Sequence, residues 1–226
     1  MVFSFFQNLK SKKSKPGSAG MPEKLEDYME HALSIPGWVD NDELSYKARI
    51  TEKLPQDAVI VEIGCFLGRS TVLMAGVRKI IGNGVVHVVD PFDGSGDAFS
   101  VPFYKLITNK IDQPILDEFR EHIQNAGLED YVIVHKGTAE SVVNQWTEPI
   151  DMLILDGDQS PKGARSAYEL WQPFLKPGGY ICLHNSGDKI YLPGHDGHRR
   201  IFLEEIKEPA YSEIHTENKT SFARKN

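Results

Sequence analysis

Residues 58–70 read Ala-Val-Ile-Val-Glu-Ile-Gly-Cys-Phe-Leu-Gly-Arg-Ser, and this stretch decides the fold. Ala58 to Ile63 is a short, β-branched apolar run with Pro55 before it and Gly64 after it. A run that short and that apolar reads as a strand covered on both faces. From Gly68 to Ile81 the chain reads as a helix that opens with Ser70 and Thr71. A strand that turns through glycines directly into a helix is the first βα unit of a parallel sheet.

The alternation repeats downstream. Strands are expected at Val85 to Val89, Tyr131 to His135, Asp151 to Leu155 and Tyr180 to Leu183. Helices are expected at Ile115 to Ala126, Ala139 to Gln145 and Gly163 to Phe174, the last closed by Lys176-Pro177-Gly178-Gly179. The tail departs from this rhythm: a helix from His198 to Lys207 precedes two strands, Tyr211 to His215 and Ser221 to Arg224, joined at Glu217-Asn218-Lys219. Upstream, Pro22 to Ile35 and Asn41 to Lys53 carry helical patterns. The expected architecture is an α/β, doubly wound, mostly parallel sheet of seven strands, with a C-terminal antiparallel hairpin and N-terminal cap helices. Its expected divisions are a disordered leader over 1–20, a helical cap over 21–54 and the main domain over 55–226. Residues 94–114 are long for a βα connection, carry Phe99, Phe103 and Tyr104, and read as a substrate lid.

Composition narrows the function. The chain has 226 residues, is 40% hydrophobic and carries a formal net charge of -7, a poor match for a polyphosphate, so nucleic acid is not an expected partner. Cys65 and Cys182 are too few for a disulfide framework or a zinc site, which points to a reducing, cytoplasmic setting. No apolar run is long enough to span a bilayer. Val2, Phe3, Phe5 and Phe6 precede Lys10, Lys12, Lys13 and Lys15, the reverse of a signal peptide's order. That leaves a weak contact with a membrane or carrier protein as the alternative to disorder. The apolar N-terminal helices make a homo-oligomer an expectation.

In such sheets ligands gather at the carboxyl ends of the strands. Gly64 and Gly68 let the backbone approach a ligand closely. Asp90, ending the second strand before Pro91, can accept both hydroxyls of a ribose. The first turn has wider glycine spacing than a pyrophosphate cradle and is preceded by Glu62. That favours a nucleoside without phosphate but with a cationic amino acid end, which S-adenosylmethionine satisfies, and disfavours a nicotinamide-dependent oxidoreductase.

These residues resemble those of class I S-adenosylmethionine-dependent methyltransferases, in detail the small bacterial O-methyltransferases of the macrocin and cephalosporin type. The resemblance rests on Glu62-Ile63-Gly64, Gly68-Arg69-Ser70, Asp90-Pro91-Phe92, Asp156-Gly157-Asp158-Gln159-Ser160 and His184-Asn185, and covers Ala58 to Ser186. It implies a Rossmann-like sheet and methyl transfer to a hydroxyl of a small molecule such as a natural product, sugar or phenol. It places Gly64, Gly68 and Ser70 around the methionine end, Asp90 on the ribose, Phe92 in the adenine pocket and Thr138 and Ala139 at the adenine edge. Glu62, Cys65, Pro91, Asp156 and Gln159 complete the expected cofactor-binding set.

Catalysis is expected from Asp156 and His184. Relatives hold a magnesium-like ion after the fourth and fifth strands, which here implies Asp156, His184 and Asn185. Two departures stand out: Gln159 replaces a frequent His, and His184-Asn185 offers no carboxylate. Without an ion, His184 is the natural general base. His195, Asp196 and His198, after Gly194, read as a solvated loop, with metal or substrate binding as the alternative, and Arg69 reads as a surface ion-pair partner. N-methylation and a cofactor-binding module without catalysis are the competing readings.

Overall fold

The central sheet takes its order from which strands are covered on both faces. The computed structural model describes residues 22–226; the leader expected over 1–20, with its phenylalanines and lysines, lies outside the described residues. Seven strands form one sheet: β1 (Val59–Ile63), β2 (Val85–Asp90), β3 (Val132–Lys136), β4 (Ile150–Leu155), β5 (Leu175–Leu183), β6 (Tyr211–Glu217) and β7 (Thr220–Lys225). Their order is β3-β2-β1-β4-β5-β7-β6. The first five pair in parallel, and β7 runs antiparallel to β5 and β6. The winding reverses between β1 and β4, which opens a crevice at their carboxyl ends.

Alternation along β1 divides the core in two. Ile60 joins one apolar cluster, while Val61 and Ile63 join the other. The first cluster lies under α1 (Leu25–Ser34), α2 (Asn41–Lys53) and α3 (Arg69–Ile81). Tyr28 of α1 is fully buried and its ring lies against Gly76 of α3, where any Cβ would clash with it. Leu44 and Ala48 bring α2 into the same cluster; burying a side chain of Leu size contributes roughly 1.5–3 kcal/mol. The N-terminal helices thus share the sheet's own core. A reciprocal cap starts α2, with the Asp40 side chain accepting from the Glu43 amide at 3.1 Å and Glu43 accepting from the Asp40 amide at 2.9 Å. The second cluster lies under α6 (Ala139–Val143), α7 (Pro161–Trp171) and α8 (Gly197–Glu205), centred on Trp171.

Several boundaries differ from the sequence reading, most of all around β2, β5 and α7. The long connection after β2 contains a helix, α4 (Val101–Thr108), ahead of α5 (Ile115–Asn125). β5 starts at Leu175, because the buried Leu175 pairs with Ile150; Lys176-Pro177-Gly178-Gly179 is absorbed as a register shift, with Gly178 at φ 82°. α7 starts at Pro161 behind the Ser160 cap and stops at Trp171, where Pro173 forces a tighter turn.

Hydrogen bonds carry the register past the strand ends. The Gly64 amide donates to Val89 O at 2.9 Å, Asp156 to Ile63 O at 2.8 Å and His184 to Leu155 O at 3.1 Å. Asp90, Gly64, Asp156 and His184 therefore stand in one row across four strands, a span of about 14 Å at the usual strand spacing. Gly64 occupies this row at φ 85°, and a Cβ there would lie 2.5 Å from the Gly157 backbone. Gly82, which ends α3 at φ 89°, has open space around it. We expect Gly82→Ala to cost about 1–2 kcal/mol from left-handed strain alone, and Gly64→Ala to cost more because the Gly157 backbone cannot yield. Urea midpoints of the two variants check this, and equal losses would overturn the close-approach reading.

Candidate active site

A cavity of about 560 Å3 opens at the row of strand ends. Its walls include Gly64, Cys65, Ser70, Asp90, Pro91, Thr138, Ala139, Asp156, Gln159, His184 and Asn185 from the sequence-expected set. Three expected residues do not line it. Glu62 faces the opposite side from Val61 and Ile63, is fully buried, and accepts from the hydroxyls of Ser70 and Thr71 beneath the first turn. Gly68 is the left-handed N-cap of α3, packed against the Phe119 ring. Phe92 turns away from the cavity at φ 54° and packs on Phe119 with ring centroids 5.3 Å apart. Glu62 and Gly68 thus shape the turn from below, and Phe92 belongs to the core.

Asp90 binds the protein as well as facing the cavity. One carboxylate oxygen accepts from the amides of Cys65 and Phe66 at 3.0 Å each, the other from the amide of Phe92 at 2.7 Å. Burial pushes its carboxyl up, and these amides pull against that. The carboxylate so held keeps Phe66 in a left-handed conformation, φ 48°, a strain of the kind that collects at functional sites.

Below Asp156 lies a buried group of charges. Lys47 of α2 is fully buried and its ammonium has no hydrogen-bond partner. Burial alone would discharge it, but Cys182, Asp156, Glu62 and Glu43 outweigh that and raise its pKa. Burial pushes Asp156 up to about 8, with Lys47 opposing and Glu62 and Glu43 adding to the rise. His184 is fully buried and is held well below an ordinary imidazole, first by burial and then by Lys219 and Lys47. Its Nδ1 lies 3.1 Å from the Thr220 hydroxyl, which donates to Glu43 at 2.6 Å; its Nε2 lies 4.0 Å from Asp156 Oδ1.

The three residues implied for a divalent ion do not suit magnesium, which takes six hard oxygen ligands at about 2.0–2.1 Å. Asp156 is the one carboxylate. His184 offers only nitrogen, and the Asn185 amide nitrogen is turned to His195 Nε2 at 3.4 Å. Among the described residues, no three His, Cys, Asp or Glu side chains gather to hold a metal.

Two further groups on the wall lie outside the expected cofactor-binding and catalytic residues. Trp38, Phe66 and Tyr104 form an aromatic wall with centroids 5.2–5.4 Å apart, drawn from the α1–α2 loop, the first turn and α4. Arg69 holds that loop by donating to Ile35 O and Val39 O at 2.8 Å each, so its partners are carbonyls rather than an acid. The Lys219 ammonium donates to Trp38 O. The second group is His195, buried on the cavity wall with Nδ1 3.1 Å from Asp97 Oδ1. Burial raises Asp97, but bonds from His195 and Ser100 outweigh it and hold the carboxyl at about 2. The available signal was position: His195 lies in the loop after β5, the last parallel strand, where ligands gather. His198, its neighbour, is buried and donates from Nδ1 to His184 O at 2.9 Å.

Residues 61–186 match a family model described as a methyltransferase domain. An O-methyltransferase from Bacillus cereus, solved in complex with SAH, superposes with a TM-score of 0.60 at 20% identity, covering 89% of this chain and 90% of that one. TomG, an O-methyltransferase from Streptomyces achromogenes involved in tomaymycin synthesis and solved with SAM, gives 0.60 at 15% identity, covering 100% and 96%. An rRNA methylase from Streptococcus thermophilus gives 0.57 at 13% identity, covering 84% and 99%. At these identities the likeness is one of fold.

The state of Asp156 makes a testable difference. The folded protein keeps a proton on it up to about pH 8, whereas the unfolded chain releases it near pH ~3.9. This contribution to stability is complete below the unfolded value and is lost as pH rises through the folded one. Asp156→Asn should therefore raise Tm at pH 8 and change it little at pH 4. A Tm difference independent of pH would overturn the assignment.

Proposed function

This chain belongs to the methyltransferase-domain family, and we propose that it moves a methyl group from S-adenosylmethionine to a hydroxyl of a small molecule. The observation that carries the reading is the row of Asp90, Gly64 and Asp156 at the strand switch, above a cavity of about 560 Å3. That volume lies within the roughly 300–1,000 Å3 of small-molecule sites.

The wall chemistry fits the cofactor. Asp90 keeps one lone pair, on Oδ1, for a ribose hydroxyl beyond the three used on amides. Gln159 is buried and its Oε1 has no partner within the protein; with Asp156 it can accept from an ammonium. Pro91, Thr138 and Ala139 edge the adenine, and Gly64 gives the methionine end its closest approach to backbone. When bound, S-adenosylmethionine supplies an electrophilic methyl on a sulfonium. The residues around it hold the acceptor oxygen in line with that methyl, exclude water and take a proton; orientation supplies most of the rate. Trp38, Phe66 and Tyr104 close one side of the cavity against water. No step passes through a metal, given the donor set at Asp156, His184 and Asn185.

The acceptor is a small molecule, a natural product, sugar or phenol, rather than a nucleic acid. A net charge of -7 and the acids Asp90 and Asp158 on the wall repel phosphates. The setting is cytoplasmic, in keeping with two buried cysteines outside any disulfide; among the described residues no helix is long and apolar enough to cross a membrane.

Calorimetric titration with S-adenosylmethionine and S-adenosylhomocysteine tests this. We expect micromolar binding, unchanged by EDTA, and a loss of about 10–100-fold in Asp90→Asn, the equivalent of one or two hydrogen bonds to a charged group. Absence of binding in the wild type would remove the reading, and binding that requires magnesium would remove the metal-free mechanism.

A further inference from the structure

We infer that His195, oriented by Asp97, takes the proton of the acceptor hydroxyl; the inference rests on the methyl-transfer reading and names the base for that same site. His184, the base expected from the sequence, also lines the cavity but has no carboxylate hydrogen-bonded to its Nδ1. It is enclosed, its Nδ1 is taken by Thr220, and its Nε2 faces Asp156. His195 is likewise buried and differs in the partner of its Nδ1. It stands on the cavity wall with a carboxylate on its far nitrogen. Asp97 accepts only, so the Nδ1 that lies 3.1 Å from it carries the proton. That leaves Nε2 as a bare lone pair, with the Asn185 amide nitrogen 3.4 Å away as a weak donor to it. The Phe99 ring, centroid 4.4 Å from the imidazole, packs against it.

Two anchors fix the ring's position. Asp97 is buried and tied to the start of α4 through the Ser100 amide at 3.1 Å. The Gly197 amide donates to Gln159 O at 2.9 Å, which brings the His195 loop onto the turn that follows β4. The base therefore belongs to two segments at once: the loop after β5 supplies the imidazole, and the connection before α4 supplies its orienting carboxylate. The second Asp97 oxygen, Oδ2, has no partner, so the carboxylate keeps acceptor capacity for the charge that arrives on the ring.

The step balances. The acceptor oxygen forms its bond to the methyl carbon while the carbon–sulfur bond breaks, its electron pair staying on sulfur. The hydroxyl proton passes to His195 Nε2 and then to solvent. One positive charge leaves the sulfonium and one appears on the imidazolium, beside the Asp97 carboxylate.

Protein labelled with ring-15N histidine, bound to S-adenosylhomocysteine, gives the proton position by long-range 1H–15N correlation, with His195→Gln as the assignment control. We expect a neutral ring protonated on Nδ1 in the wild type, and loss of that fixed tautomer in Asp97→Asn. Turnover is measured with 3,4-dihydroxybenzoate and with the more acidic 4-nitrocatechol. His195→Gln should lower kcat on the first by about 10²–10⁴-fold with KM near wild type, and lower it far less on the second, which is already ionised. A proton on Nε2, or equal losses on both probes, would overturn the inference. If neither probe is methylated, the ring proton decides alone. Both variants should bind S-adenosylhomocysteine as the wild type does; failure of the wild type to bind it would strike the methyl-transfer reading and not the dyad.

Discussion

The Asp90 carboxylate adds side-chain bonds to the backbone bond from Gly64 to Val89 that joins the ends of β1 and β2. It accepts from Cys65 and Phe66 on one side and Phe92 on the other, so the turn after β1 takes its shape from the residue that ends β2. The left-handed backbone at Phe66 persists because these bonds over-determine it. The turn then presents Phe66 to Trp38 and Tyr104, and the aromatic wall follows. Beneath the same turn Glu62, fully buried, is satisfied by Ser70 and Thr71. A buried carboxylate without such partners costs several kcal/mol; two hydroxyls from the first turn of α3 remove that cost and fix the helix against the strand. Two acids near adjacent strand ends therefore set the geometry, one from above and one from below.

β1 and β2 were legible because they are short and apolar and because Gly64, Gly84 and Pro91 mark their ends. Val59–Ile63 and Val85–Asp90 fall within a residue of the runs that announced them. α4 was not legible: Val101–Thr108 buries no residue fully, so no stripe marks it against the long loop around it. Roles divided along the same line. Gly64, Asp90, Asp156 and His184 follow from position at strand ends, which the sequence displays. Phe92 and Glu62 lie next to such positions, yet the alternation of the strand and a left-handed turn send their side chains elsewhere. His195 and Trp38 come from loops, whose paths depend on tertiary contacts. Asp97 and His195 are 98 residues apart and no local pattern connects them.

The floor of the site is electrically frustrated. Lys47, Glu43, Glu62 and Asp156 are grouped in the interior, and the ammonium among them has no hydrogen-bond partner within the protein. A core designed for stability alone would hold apolar side chains of similar size. Here Asp156, alone among these acids, lines the cavity, and Lys47 comes from α2. The N-terminal helices thus contribute charge to the site as well as apolar surface to the core.

The rim of the cavity is sewn from opposite ends of the chain. Lys219 holds Trp38 across 181 residues, Asn218 holds Asp40 across 178, and Thr220 holds Glu43 across 177. A nascent chain on the ribosome can assemble the five parallel strands before residues 218–220 exist, since those strands end at Leu183. It cannot seat the α1–α2 loop on its lysine. Contacts of such long sequence separation form late in folding, so a finished binding site is a property of the completed polypeptide. Ligand occupancy during synthesis would report that the hairpin has emerged and docked.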